Sequence, residues 1–215
     1  KLNIMRQSAL LLFVSILFIT SAAAQPRTNP VQQANQIAQK TFKDKQFPGM
    51  AVAVWKNRAW MMKKGYGYAD IAAQTSVNPE QSKFRIGSIS KPFTAAGLAK
   101  LYEAGKINLD TSIQVYVPDF PKKKWDITLR QLAGHLAGIR HYRGTEFMSN
   151  RYYPTVDEGL EIFKNDTLLH EPNSKYAYSS YGWNLISAAM EAAADTSFLD
   201  YMQMVVFDEL ALENT

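Results

Sequence analysis

Apolar residues recur near helical spacing at Val31, Ile37, Ala38 and Phe42, so Gln32–Lys45 is expected to form an amphipathic helix. Phe47-Pro48-Gly49 ends it. Met50–Trp55 is a compact apolar run of strand length. Lys56-Asn57-Arg58 reads as a polar turn, and Ala59–Tyr68 carries a second strand pattern, so the two runs predict a β-hairpin. From Ser88 to Ala104 the buried side of a helix is given by Phe93, Ala96, Leu98, Leu101 and Tyr102, with Gly105 as its stop. Beyond it the patterns are mostly helical and loop-like, with long helices expected over Tyr181–Ala194 and Phe198–Leu210. The order is therefore helix, hairpin, then helices. A two-stranded sheet is marginal alone, so further strands are expected after Thr215. On that argument the 215 residues are a piece of a longer protein.

The first residues follow a different pattern. Lys1 and Arg6 precede an apolar run from Ala9 to Ile19, and small residues follow as far as Ala24. A positive start, a short apolar core and a small-residue end describe a secretory signal peptide, with cleavage expected near Ala24. The run is short for a membrane span, which needs about 20 apolar residues, so no stable span is expected after cleavage. The implied location is secreted or periplasmic. Residues 1–24 are set aside, 25–104 carry the first helix, the hairpin and the candidate nucleophile helix, and 105–215 carry a mostly helical part.

Composition narrows the chemistry. With 47% hydrophobic and 20% charged residues the chain is ordinary globular material. It has no cysteine, which excludes disulfides, thiol catalysis and thiolate metal sites. The net charge of +5 is partly local, in Lys122-Lys123-Lys124 and in Lys43 and Lys45, and reads as solvated faces. No basic-and-aromatic motif accompanies it, so no nucleic-acid partner is implied. No histidine pair has metal-ligand spacing on a helix and no glycine-rich phosphate loop is present, so neither a metal nor a nucleotide cofactor is expected.

Ser88-Ile89-Ser90-Lys91 is an S-x-x-K sequence. Residues three apart share a helix face, so the Lys91 amine can lie beside the Ser88 hydroxyl. Serine is a weak nucleophile until a neighbouring base takes its proton, and a lysine of lowered pKa can be that base. Pro92 is tolerated only in a first helical turn, which places Ser88 at the helix start. There the helix dipole favours developing negative charge. The bland alternative is an N-capping serine with a surface lysine.

The surroundings favour the chemical reading. Phe84-Arg85-Ile86-Gly87-Ser88-Ile89-Ser90-Lys91-Pro92-Phe93-Thr94-Ala95 resembles the nucleophile region of the class C beta-lactamase and penicillin-binding-protein-like serine hydrolases. Phe47–Val54, Gly65–Asp70, Leu101–Asp110 and Ile127–Leu132 with His135, Gly138 and Ile139 resemble that family's other blocks in the same order. The run Gly138-Ile139-Arg140-His141-Tyr142 is similar to the mitochondrial members found in animals. The resemblance spans roughly residues 31 to 215. It implies an α/β fold, an antiparallel sheet flanked by helices plus an all-helical subdomain, with the C-terminal strands missing from this chain.

The same resemblance implies Tyr178 as a second catalytic residue, a phenol relaying a proton between Ser88, Lys91 and the leaving group. Ser180 stands where the family usually has asparagine. A hydroxyl still hydrogen-bonds but lacks the reach of an amide, which counts against beta-lactams as substrates. A third element, Lys-Thr-Gly or His-x-Gly on a later strand, is expected beyond Thr215. Lys63-Lys64-Gly65 has similar letters in the wrong order along the chain and is read as structural. His135 matches a structural position, and His141 and His170 read as loop residues. The implied activity is acyl transfer through a serine acyl-enzyme, on a beta-lactam, a D-amino-acid peptide or a small ester. The 215 residues alone are expected to be inactive. The rival reading is a non-catalytic protein that keeps the fold for binding or self-assembly. Fold alone does not choose between them, and the sequence leaves the oligomeric state open.

Overall fold

The computed structural model describes residues 29–213. The signal-peptide reading of 1–24 lies outside them. Among the described residues no helix is long and apolar enough to cross a membrane. The chain divides into two compact units at Ser82/Lys83.

In the first unit, helix α1 (Pro30–Lys45) opens two residues ahead of the expected start. Asn29 caps it by accepting from the Val31 N–H, and Pro30 takes the first turn, where a missing N–H costs nothing. Strands β1 (Gly49–Lys56) and β2 (Ala59–Asp70) form the expected antiparallel hairpin, closed at Lys56↔Ala59. Its two-residue loop, Asn57 and Arg58, has positive φ at both positions, which matches the twist of the strands. A short β3 (Thr75–Ser76), not foreseen in the sequence, pairs with β2 to give the order β1-β2-β3. Ala38, Met62, Tyr66 and Val77 are buried, and Phe42 stacks on Tyr66 with centroids 5.9 Å apart. Tyr66 Oη donates to Asn35 Oδ1 of α1 (2.9 Å), tying the helix to β2. At the hairpin tip Trp55 and Trp60 are both more than half exposed and pack edge to face at 4.7 Å.

The second unit is helical. A 3₁₀ turn (Gly87–Ile89) leads into α2 (Ser90–Glu103). Then come α3 (Leu129–Ala133), α4 (Val156–Leu160), α5 (Ser180–Ala194) and α6 (Phe198–Met202). The core gathers around α5, whose Leu185, Ile186, Ala189 and Met190 are wholly buried against Leu98 and Leu101 of α2, Leu129 and Leu132 of α3, and Phe120, Ile113 and Ile127. The candidate nucleophile helix, α2, thus belongs to the helical unit of this chain, because its apolar side finds its partners there.

The single helix expected over Phe198–Leu210 is instead α6 followed by a π-helical turn, Gln203–Phe207, in which the Asp208 N–H donates to the Gln203 carbonyl at 2.9 Å. Tyr201 and Val206 are both buried although five residues apart. Regular α-helical rotation would set them about 140° apart, and the wider turn lets both face the core.

Candidate active site

Ser88 occupies the 3₁₀ turn just ahead of α2. Gly87 makes the turn possible. Its φ is +53° and a Cβ there would meet nothing within 4 Å, so glycine is needed for its backbone freedom and not for space. Ser90 Oγ donates to the Gly87 carbonyl (2.8 Å) and closes the turn. Pro92 falls in the first turn of α2, as the sequence required. Lys91, one short turn on, reaches back so that Nζ donates to Ser88 Oγ at 3.1 Å.

The opposite wall comes from the chain entering α5. Ser179 is its N-cap: Oγ accepts from the Gly182 N–H (3.0 Å) and donates to the Arg140 carbonyl (2.7 Å) while almost fully buried. The segment ahead of it is laced to 135–140 by backbone bonds: Leu169, Asn173 and Ala177 N–H donate to the carbonyls of Gly138, Leu136 and His135. Gly138 sits at φ +78°, and a Cβ would lie 2.6 Å from the His170 carbonyl oxygen, so only glycine permits this approach.

On that wall Tyr178 Oη lies 2.7 Å from Ser88 Oγ, in a hydrogen bond either oxygen can donate. Lys91 Nζ also donates to Ser180 Oγ at 3.1 Å and stands 5.1 Å from the centroid of the Tyr178 ring. All four candidate residues, Ser88, Lys91, Tyr178 and Ser180, therefore converge, with Lys91 at the centre. The Tyr178 phenol is held below its ordinary 10.0, first by the Lys91 amine and then by the Ser88 hydroxyl, both of which favour the phenolate. It is about 37% exposed, so a reactant can reach it.

Two residues that the sequence reading left in structural or loop roles also meet here. His135 lies 4.4 Å from Tyr178 by ring centroids and His141 lies 5.2 Å away, edge to face. Burial and then the charge on Lys91 hold both imidazoles below 6.5. His170, the third, bonds the neighbouring Glu171 carbonyl. Behind the wall lies an ion-pair hub. The buried Arg140 guanidinium grips both oxygens of Glu146 (2.7 and 3.0 Å), pairs with Asp166 and donates to the carbonyls of His141 and Ile162. Tyr181 Oη donates to Glu146 (2.9 Å). Arg140 and His141 were legible only as letters in a resembling run, since no periodicity marks them. Among the described residues no group of histidines and carboxylates could hold a metal ion.

The family model described as Beta-lactamase matches residues 34–215. The human mitochondrial serine beta-lactamase-like protein LACTB is 29% identical, over 75% of this chain and 42% of its own length. Protein flp of Staphylococcus aureus is 25% identical, over 80% of this chain and 35% of its own length. Among solved structures, the octameric penicillin-binding protein homologue from Pyrococcus abyssi superposes with a TM-score of 0.75 at 22% identity, over 85% of this chain and 43% of that one. FmtA from Staphylococcus aureus gives 0.71 at 26% identity, over 83% and 49%. The chain spans less than half the length of these relatives.

Proposed function

The chain belongs to the beta-lactamase family, and from that premise we propose that it carries the nucleophile half of a serine acyl-transfer site. The observation that carries this reading is the convergence of Tyr178 Oη and Lys91 Nζ on Ser88 Oγ, at 2.7 and 3.1 Å. Ser88 is the nucleophile. Tyr178, as phenolate, takes the Ser88 proton while Ser88 Oγ bonds to the acyl carbon. It then gives that proton to the departing heteroatom as the scissile bond breaks. Water enters by the reverse route: its oxygen bonds to the acyl carbon as Tyr178 accepts its proton, the acyl–oxygen bond to Ser88 breaks, and Tyr178 returns the proton to Ser88 Oγ. Lys91 donates to Ser88 and Ser180 and supplies the positive charge that favours the phenolate. In the sequence reading Lys91 and Tyr178 shared the base role. The shorter bond from Ser88 to Tyr178 favours the phenol as the immediate acceptor.

The substrate proposed is a small ester or a D-amino-acid peptide, ahead of a beta-lactam, because Ser180 offers a short hydroxyl where an asparagine amide would reach further. The test is covalent labelling of the full-length protein with a fluorophosphonate, read by intact mass, since the 215 residues alone are expected to be inactive. One adduct is expected, lost in Ser88→Ala. Equal labelling of Ser88→Ala, or none of the unaltered full-length protein, would favour a protein that keeps the fold for binding alone. Export is proposed separately, from residues 1–24, and a mature N-terminus at Gln25 in secreted material is its check.

A further inference from the structure

Two imidazoles hold the chain immediately after Tyr178. The Ser179 N–H donates to His135 Nδ1 at 3.1 Å, and the Ser180 N–H donates to His141 Nδ1 at 3.2 Å. These are successive backbone donors at the start of α5, where helix N–H groups have no partner within the helix. A nitrogen that accepts an N–H carries no proton, so this geometry requires the Nε2–H tautomer at both rings. The same rings flank the Tyr178 phenol, one tilted at 39°, the other edge-on at 87°.

We propose that His135 and His141 are paired positioning residues, whose unprotonated Nδ1 atoms hold Tyr178 and Ser180 against Ser88 and Lys91. The proposal rests on the acyl-transfer reading above. Protonation of either ring turns an acceptor into a donor facing a backbone N–H and adds a cation beside Lys91. The bond is lost and the wall carrying Tyr178 and Ser180 is released. The groups facing the two rings are Lys91 from α2, Tyr176 and Tyr178 from the segment entering α5, Tyr142 against His141 at 4.1 Å, and each ring for the other. The Arg140 guanidinium bonds the His141 carbonyl, with its own charge matched by Glu146 and Asp166. Burial and Lys91 both oppose the imidazolium, so the neutral, holding form prevails at neutral pH.

His135 adopts φ +59°, a left-handed conformation in which asparagine is among the best tolerated residues with a side chain. Asn Oδ1 also lies close to where Nδ1 was, so His135→Asn and His141→Asn keep an acceptor that does not titrate. His141→Phe keeps the ring and loses the acceptor.

The first measurement needs no turnover. Long-range ¹H–¹⁵N spectra of the imidazoles in the intact chain at pH 7.5 are expected to show the Nε2–H tautomer at both residues. An Nδ1–H tautomer, or an imidazolium, at either one overturns the proposal whether or not the protein is an enzyme. The second is the rate of Ser88 labelling by fluorophosphonate against pH. His141→Phe is expected to fall by about 10- to 100-fold at every pH, the cost of a misplaced catalytic group. The two Asn variants are expected to stay within a few-fold of the unaltered protein at pH 7.5 and to lose the acid-side decline that protonation of the two rings gives it. Labelling of His141→Phe at the unaltered rate overturns the proposal, as does an acid decline that survives in both Asn variants. Should His141→Phe fail to fold, by circular dichroism, the Asn variants and the tautomers decide. Absence of labelling in every form defeats the acyl-transfer reading and leaves the tautomer result standing on its own.

Discussion

The hydroxyls of Ser88 and Tyr178 lie 2.7 Å apart although 90 residues separate them in the chain. The contact is made by two helix starts that meet. Ser88 leads into α2 and Tyr178 leads into α5, and Leu98, Leu101, Leu185, Ile186 and Met190 on the two helices join one core. Packing of the helices therefore sets the distance between the reactive oxygens.

Replacing Tyr178 by Phe keeps the ring between the two histidines and removes only the oxygen. Acylation of Ser88 by an activated ester is expected to fall by about 10²–10⁴, the usual worth of a positioned acid–base group. In the unaltered chain the acylation rate should rise with pH and level off below 10, since Lys91 and Ser88 favour the phenolate. Burst kinetics with a nitrophenyl ester provide the check. A Tyr178→Phe burst as fast as that of the unaltered chain would remove Tyr178 from the chemistry.

Lys91→Arg is expected to be as damaging as Lys91→Ala. Guanidinium is planar and bulkier than an ammonium, so it does not present one donor atom at the position of Nζ. A single Nζ now serves both Ser88 and Ser180 from between two walls. Ser88 adduct formation, followed by mass, should be nearly abolished in both variants. An Arg variant that labels normally would make Lys91 a plain structural cation.

The half of the candidate site around Ser88 was legible in the sequence because it is local. Ser88 and Lys91 share one turn, and Pro92 fixes where that turn lies. Tyr178 and Ser180 were reached through resemblance. The hairpin was legible for a similar reason, since strands joined by a two-residue turn follow local rules. What escaped was non-local. Nothing in the letters around His135 and His141 says that their rings accept N–H groups from 44 and 39 residues away. The two-residue β3 is too short to carry a pattern. The π turn after Met202 answers to packing of Tyr201 and Val206 and not to propensity.

Ser180 sets an expectation about substrates. Hydrolysis of nitrocefin should be weak, with small esters turned over better, because the hydroxyl is spent on Lys91 and has no amide arm to reach a lactam side chain. The ratio of kcat/KM for the two substrates tests this, and efficient nitrocefin turnover would contradict it.

Glu146 ties stability to acid pH. Its carboxyl is held down to about 2 from 4.5, chiefly by the Arg140 guanidinium, with bonds from the Arg143 N–H and Tyr181 also favouring the anion. A depressed folded pKa stabilises above the unfolded value, and that stability drains away as pH falls from about 4.5 toward 2. Glu146→Gln leaves Arg140 buried with one carboxylate partner fewer, a loss bounded by roughly 3–5 kcal/mol. Thermal melts from pH 3 to 7 should show a lower Tm for the variant and a shallower acid slope. Superimposable melts would mean that Asp166 and the carbonyls satisfy Arg140 alone.

Gly97 decides how closely α2 approaches its neighbours. A Cβ there would lie 2.7 Å from Met202 Sδ, 3.0 Å from Met190 Cε and 3.3 Å from Tyr201 Cε1. Tyr201 Oη also donates to the Gly97 carbonyl at 2.9 Å, so the same point is both packed and bonded. The crowding atoms in the first two contacts are the flexible parts of methionine side chains, which give way at little cost. Alanine also gains about 0.5–1 kcal/mol within a helix over glycine, so Gly97→Ala should be close to neutral. Valine adds two methyl groups that the methionines cannot both evade, and overpacking of that kind costs about 1–3 kcal/mol. Urea denaturation should therefore separate the two variants at unchanged slope. Because Gly97 lies almost two turns beyond Lys91 on α2, Gly97→Val should still label at Ser88 below its melting temperature. Equal stability for Ala and Val would mean that α2 can move away from α6, and the Ser88–Tyr178 distance would then no longer be fixed by this packing.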